Sequence, residues 1–197
     1  MKGNPKLYSY VVEHDTGYAP NPYFGACTLC RCKFREEGQI RRNIVELAQE
    51  GDWIVGTGGA NKESSPGHGK LVFAMRVDEK LTRQAYNTNP QFHKKKPLIG
   101  ASYARQRGDN LRPASTFERH NQFVLISWHF YYFGGNAVTI PKELSGVEKS
   151  GPGFKSRFAT VFILRFIRWL ETNYKPGKHG EPCERKLNGC GRRKPGC

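Results

Sequence analysis

The sequence predicts an α+β domain. Three observations carry that expectation: alternating or apolar runs that read as short strands, two stretches with apolar residues at helical spacing, and intervening loops rich in glycine, proline and asparagine. With 197 residues, 37% of them hydrophobic, the chain suits one core and a short appendage. The expected division is a single domain over residues 1–174 and a basic, cysteine-containing tail over 175–197.

Residues 7–13, LYSYVVE, make the first expected strand, with Leu7, Ser9 and Val11 on one face and Tyr8, Tyr10 and Val12 on the other. HDTGYAPNPYFGACTLC follows, and a loop of that length in a compact domain points to function. QIRRNIVELAQ, at 39–49, puts Ile40, Ile44, Leu47 and Ala48 on one side of a predicted helix and Arg41 and Arg42 on its wet side. Gly51 would end it. GDWIVGTGG and KLVFAMRV are predicted strands that pair as a long hairpin. The loop between them ends in Gly69-Lys70, but Ser64 stands where a phosphate loop needs its first glycine and Leu71 where it needs serine or threonine, so triphosphate hydrolysis by that route is excluded.

Thr82 suits the cap of a short helix in TRQAYNTNPQF. The basic HKKKP follows, and residues 100–122 read as irregular. FVLISWHFYYF, at 123–133, reads as one β-run closed by Gly134-Gly135-Asn136 and followed by a short strand in AVTIP. FKSRFATVFILRFIRWLET, at 154–172, is a predicted helix, apolar nearly all round, packed across the sheet. Past Tyr174 there is little to bury, which predicts a loosely held tail unless metal or nucleic acid orders it.

Lysine and arginine number 32 against 17 acidic residues, a formal charge of +15. The excess lies in the body as well as the tail, so the expected partner is a polyanion rather than a membrane. Arg41, Arg42 and the run Lys94, Lys95, Lys96 are the expected phosphate contacts, together with the tail. MKGNPKLYSYVV is not a secretory signal, and the most apolar later run is interrupted by Arg165 and Arg168. The expectation is a cytoplasmic protein.

The stretch WHFYYFGGN concentrates the chemistry. In one strand it would turn Trp128, Phe130 and Tyr132 one way and His129, Tyr131 and Phe133 the other, one face core and the other a pocket wall. Gly134 and Gly135 would allow close approach, and Asn136 offers both a donor and an acceptor to the edge of a planar ring. A plain central strand ended by a glycine turn fits the same pattern. Catalytic candidates are fewer. Ser127 and His129 have no acidic orienter, and His14, Asp15 and Cys27 in the first loop could carry nucleophilic or acid–base chemistry. Cys27, Cys30 and Cys32 could supply part of a zinc site, with Cys183, Cys190 and Cys197 supplying the rest, but the tail spacing fits no standard zinc knuckle. Ordinary thiols and no cofactor are the expectation, with a zinc-stabilised interaction module as an alternative.

LYSYVV, DTGYAPNPYFGACTL, GDWIVGTG, KLVFAMRVDEKLT, NPQFHKKKP and FYYFGGNAVTIP, in that order, resemble the nucleotide modification associated domain, the second of the families so named. That resemblance implies a place in bacterial or phage DNA base modification. The order of strand, loop, helix, GDWIVGTGG and GKLVFAMRV is also similar to PUA-like domains of the EVE, ASCH and YTH type. It implies a mixed β-barrel flanked by helices, with a base held in an aromatic pocket. The residues expected to stack are Tyr10, Phe24, Trp53, Tyr131 and Phe133, and those expected to read the base edge are Asn21, Thr57 and Asn136. DNA is the expected partner, with RNA open. The rival is an enzyme of the same pathway acting on a modified base or nucleotide.

Overall fold

In the computed structural model of the chain, residues 3–30, 34–37, 40–61, 63–95 and 122–183 are described. Leu7–Val12 forms β1, and the long loop after it contains β2, Cys27–Leu29. Next come β3 (Phe34–Glu37), β4 (Ile40–Asn43) and a four-residue helix α1, Ile44–Leu47. The predicted hairpin is present as β5 (Trp53–Gly58) and β6 (Lys70–Arg76), antiparallel to each other. β7 (Glu79–Thr82) leads into α2, Arg83–Thr88, which Thr82 caps by accepting from Ala85 N, as expected. The later elements are β8 (Phe123–Ser127), β9 (Phe130–Tyr132), β10 (Val138–Thr139), β11 (Phe154–Lys155), α3 (Thr160–Asn173) and β12 (Gly177–Lys178).

The large sheet runs β11-β1-β5-β6-β9-β12, with β10 paired to β6 beyond the Gly134–Asn136 turn. β1 lies parallel to β5 and β12 parallel to β9, while the other pairs are antiparallel. A second sheet, β2-β8-β7, is separate. The molecule is therefore mixed α+β, as expected, but the described strands form no closed barrel. The second sheet supplies Cys27, Leu29 and Leu125 to a core on one face of the large sheet instead of joining its edges.

Alternation sorts the two cores. Tyr8, Tyr10 and Val12 enter the core shared with the small sheet and α1, whereas Leu7 enters the one under α3 with Trp53, Tyr131, Ile163, Phe166 and Leu170. A sheet covered on both faces buries every residue of β1 and β5.

Three expectations change. Residues 40–43 are strand, not helix, because Asn43 keeps an extended backbone (φ −115°, ψ 138°) and its side chain accepts from Val45 N at 2.9 Å. That cap starts the helix at Ile44, so Arg41 and Arg42 sit in β4, opposite Glu36 and Arg35 of β3. The run 123–133 is not one strand. β8 belongs to the small sheet and β9 to the large one, with Trp128 and His129 between them. The chain past Tyr174 is not loose: through Cys183 it follows β9, and His179 N donates to Tyr132 O at 2.7 Å. Among the described residues no helix is long and apolar enough to cross a membrane.

Candidate functional site

The loop after β1 and the segment that follows β12 meet at one carboxylate. Asp15 is 1% exposed. Its Oδ1 accepts from Tyr132 Oη at 2.5 Å, its Oδ2 from Cys183 N at 3.2 Å, and its own N–H donates to Ser64 O at 2.9 Å. Burial raises the Asp15 carboxyl above its ordinary value of 3.8, outweighing the donors from Tyr132, Cys183 and Gly17 that lower it. Burial and the neighbouring Asp15 push the Tyr132 hydroxyl well above 10, so it stays a neutral donor.

The other catalytic candidates lie around this group: Cys27 acts electrostatically on the Tyr132 hydroxyl, and His14 shares Ser64 with Asp15. Cys27 is fully buried on β2, with Sγ 3.9 Å from Met75 Sδ. His14 is exposed, with Nδ1 3.0 Å from Ser64 Oγ. Ser127 Oγ donates to His129 O at 2.9 Å, a turn contact rather than a nucleophile–base pair. Burial lowers the His129 imidazole first and Arg76 lowers it further, against the pull of Glu171 and Asp78.

The residues expected to form one base pocket are divided by the large sheet. Tyr10 packs edge-on against Phe73 in one core, whereas Trp53, Tyr131 and Phe133 lie in the other. Thr57 is buried and donates to Tyr10 O at 3.4 Å. Asn21 is buried too, its Oδ1 accepting from Lys95 Nζ at 2.9 Å. Lys95 turns inward: it is 1% exposed, and its ammonium also donates to Asn21 O and Thr28 Oγ1, an interior tie where a phosphate contact was expected. Lys94 is exposed, and Lys96 lies outside the described residues.

Gly134, Gly135 and Asn136 receive the segment 179–181 rather than opening a pocket. Gly134 has φ 54°, and a Cβ there would stand 2.3 Å from Glu181 O. Gly135 N donates to Glu181 O at 2.8 Å, Asn136 Nδ2 donates to His179 O at 2.9 Å, and the His179 ring stacks on Phe133 at 5.0 Å.

An aromatic cleft of about 410 Å³ lies instead where three distant segments converge. Phe24 is 51% exposed, its backbone at φ 59° in the turn before β2, and Trp128 is 40% exposed in the crossing between β8 and β9. Phe130, Tyr23, Pro176 and Lys178 are among the other lining residues. Asp78 Oδ2 fixes the crossing by accepting from Trp128 N at 2.8 Å and His129 N at 3.0 Å. Lys178 Nζ lies 5.0 Å from the Tyr23 ring centroid and pairs with Glu181, which also accepts from Tyr23 Oη at 3.1 Å. Of the cleft's exposed aromatics, Phe24 was among the residues expected from sequence. Trp128 and Lys178 were not, because periodicity continued one strand through 128 and the chain near 178 has no apolar signal.

A larger groove of about 1080 Å³ is lined by Lys6, Glu46, Asp52, Arg76, Lys80 and Glu171, among others. Its charges serve the fold: Asp52 accepts from Lys6 N and Gln49 N, Lys80 donates to the Glu46 and Ala48 carbonyls, and Arg76 pairs with Asp78. It holds neither Phe24 nor Trp128, and the smaller cleft is the stronger candidate. Among the described residues no cluster of three or more His, Cys, Asp or Glu could hold a metal ion. Cys30 is buried and Cys183 half-buried, and Cys32, Cys190 and Cys197 lie outside the described residues.

Fold and cleft define a strongly basic, open-sheet α+β protein with an aromatic recess at its surface. The chain belongs to the nucleotide modification associated domain 2 family, whose model matches residues 4–123 and 116–189. Membership places it in the context of a nucleotide modification system. Comparison with curated proteins and with solved structures finds no match.

Proposed function

We propose that the protein binds nucleic acid, DNA in the first instance, within a bacterial or phage base-modification system in the cytoplasm, and stacks a modified or flipped base between Phe24 and Trp128. The observation that carries this reading is the convergence of two exposed aromatic side chains on one cleft with Lys178 at its wall. Large aromatics left in water forgo burial worth a few kcal/mol, and a stacked base restores it. Of the residues expected from sequence, Phe24 stays in the proposed site, and Trp128, Phe130, Tyr23 and Lys178 join it. The PUA-like likeness belongs to the same reading, with the sheet open rather than closed.

The enzyme alternative has a cost in this geometry. Asp15 and Cys27 are both buried, so chemistry through either needs the 14–30 loop to open. Recognition of a base at the cleft needs no such movement.

Equilibrium binding to two matched duplexes, one plain and one carrying hypermodified pyrimidines or deazapurines, tests it. The modified duplex should bind tighter, and Trp128→Ala should cut that affinity by roughly 5- to 150-fold, the loss of one base stack of about 1–3 kcal/mol. Equal affinity for both duplexes, unchanged in Trp128→Ala, would sink the base cleft. Turnover of the modified base would promote the enzyme.

A further inference from the structure

From Lys149 to Leu170 the sequence holds Lys149, Lys155, Arg157, Arg165 and Arg168 and no aspartate or glutamate. None of these five cations makes an ion pair among the described residues. Lys155 Nζ lies 5.0 Å from the Phe158 ring, which stacks on Phe162 of α3, so the first three stand at the start of that helix. Lys149, Lys155 and Arg157 line a cleft of about 380 Å³ together with Pro152, Gly153 and Ser156, and no acidic residue lines it. Beyond it, α3 buries Ile163, Phe166 and Leu170 against the sheet and turns Val161, Leu164, Arg165 and Arg168 outward, spaced as one helical stripe. Val161 is 68% exposed and Leu164 52%.

We infer that this surface, the cation-lined cleft continued by the outer stripe of α3, is where the protein holds the phosphate backbone of nucleic acid. The inference rests on the nucleic-acid reading above and gives it a backbone site separate from the aromatic cleft. Charge complementarity selects the occupant: uncompensated cations in an acid-free stretch match a row of phosphates, and the two aliphatic side chains between the arginines can meet sugar faces. An anionic bilayer fits less well. Helices that lie in a membrane interface insert a broad apolar face, commonly with Trp or Phe, and here the apolar side of α3 is already packed on the sheet.

The test compares wild type, the triple variant Arg157→Gln/Arg165→Gln/Arg168→Gln, the double variant Lys149→Gln/Lys155→Gln, and Trp128→Ala. Binding to plain and modified duplexes is followed across a salt series, alongside vesicles of phosphatidylglycerol and phosphatidylcholine. The three arginines are exposed, so the triple variant should keep the wild-type thermal midpoint. Its slope of log affinity against log salt should fall by up to about 2.7, roughly 0.9 for each phosphate no longer neutralised, and the double variant's by up to about 1.8. Trp128→Ala should leave the slope alone and weaken only the preference for the modified duplex.

Wild-type slopes in both charge variants would overturn the inference while leaving the aromatic cleft standing. A reduced slope with an unaltered preference in Trp128→Ala would do the reverse. Binding to vesicles but not to duplexes would replace nucleic acid by an anionic membrane, and binding to neither would overturn both readings.

Discussion

A carboxylate with almost no access to water must be matched by donors or stay protonated, and Asp15 shows both tendencies. Tyr132 Oη and Cys183 N satisfy its oxygens, yet burial still raises its pKa above 3.8. The sign for stability follows. A raised folded-state value means that the native state favours the protonated acid. This contribution is complete below the unfolded value and is lost as pH rises through the folded one. The unfolding free energy of wild type minus that of Asp15→Asn should therefore decline as pH climbs from about 4 through the raised Asp15 value and then level off. Denaturant unfolding at a series of pH values measures it, and a difference flat across that window would mean that Asp15 is not held away from water. Side-chain chemistry alone does not set a role for the aromatics either. Tyr10, Trp53 and Tyr131 have the chemistry of a stacking pocket, but packing against Phe73 on one side of the sheet and under α3 on the other makes them core.

Among the elements, those with local signals were legible and those created by tertiary contact were not. The β5–β6 hairpin, the Thr82 cap of α2 and the two faces of β1 follow from apolar runs, a capping residue and alternation. The β8–β9 crossing escaped because both flanks are apolar and a buried sheet loses the period-two pattern that would mark a break. β12 escaped because two residues, Gly177 and Lys178, are held by the edge of β9 rather than by side-chain burial. A deletion ending the chain at Tyr174 should therefore destabilise the domain. It removes the bonds Gly135 N to Glu181 O, His179 N to Tyr132 O and Cys183 N to Asp15, at about 1 kcal/mol each, or roughly 3 kcal/mol in all. The midpoint of urea unfolding checks this, and an unchanged midpoint would mean that the returning segment contributes nothing.

Across the whole molecule, the large sheet is shared by both main cores, so neither can be lost alone without exposing its other face. Trp53 lies in the large sheet, Trp128 at the crossing between sheets and Trp169 on α3. Tryptophan fluorescence and far-ultraviolet circular dichroism should report one coincident unfolding transition. Two separated midpoints would show that the small sheet melts independently. The basic character of the chain was readable from composition; where that charge is left uncompensated was not, because Lys95 turns inward whereas Arg165 and Arg168 stay outside, a difference set by packing.

The parallel pairing of β12 with β9 also has a consequence for synthesis. Residues 177–183 supply the outer neighbour of β9 and a donor to Asp15, 168 positions earlier in the chain. A nascent chain can form the β5–β6 hairpin while still attached to the ribosome, but it cannot complete the sheet until those late residues emerge from the exit tunnel. The large sheet is thus completed only after residues 177–183 emerge, and until then the edge of β9 remains open to any other strand it meets.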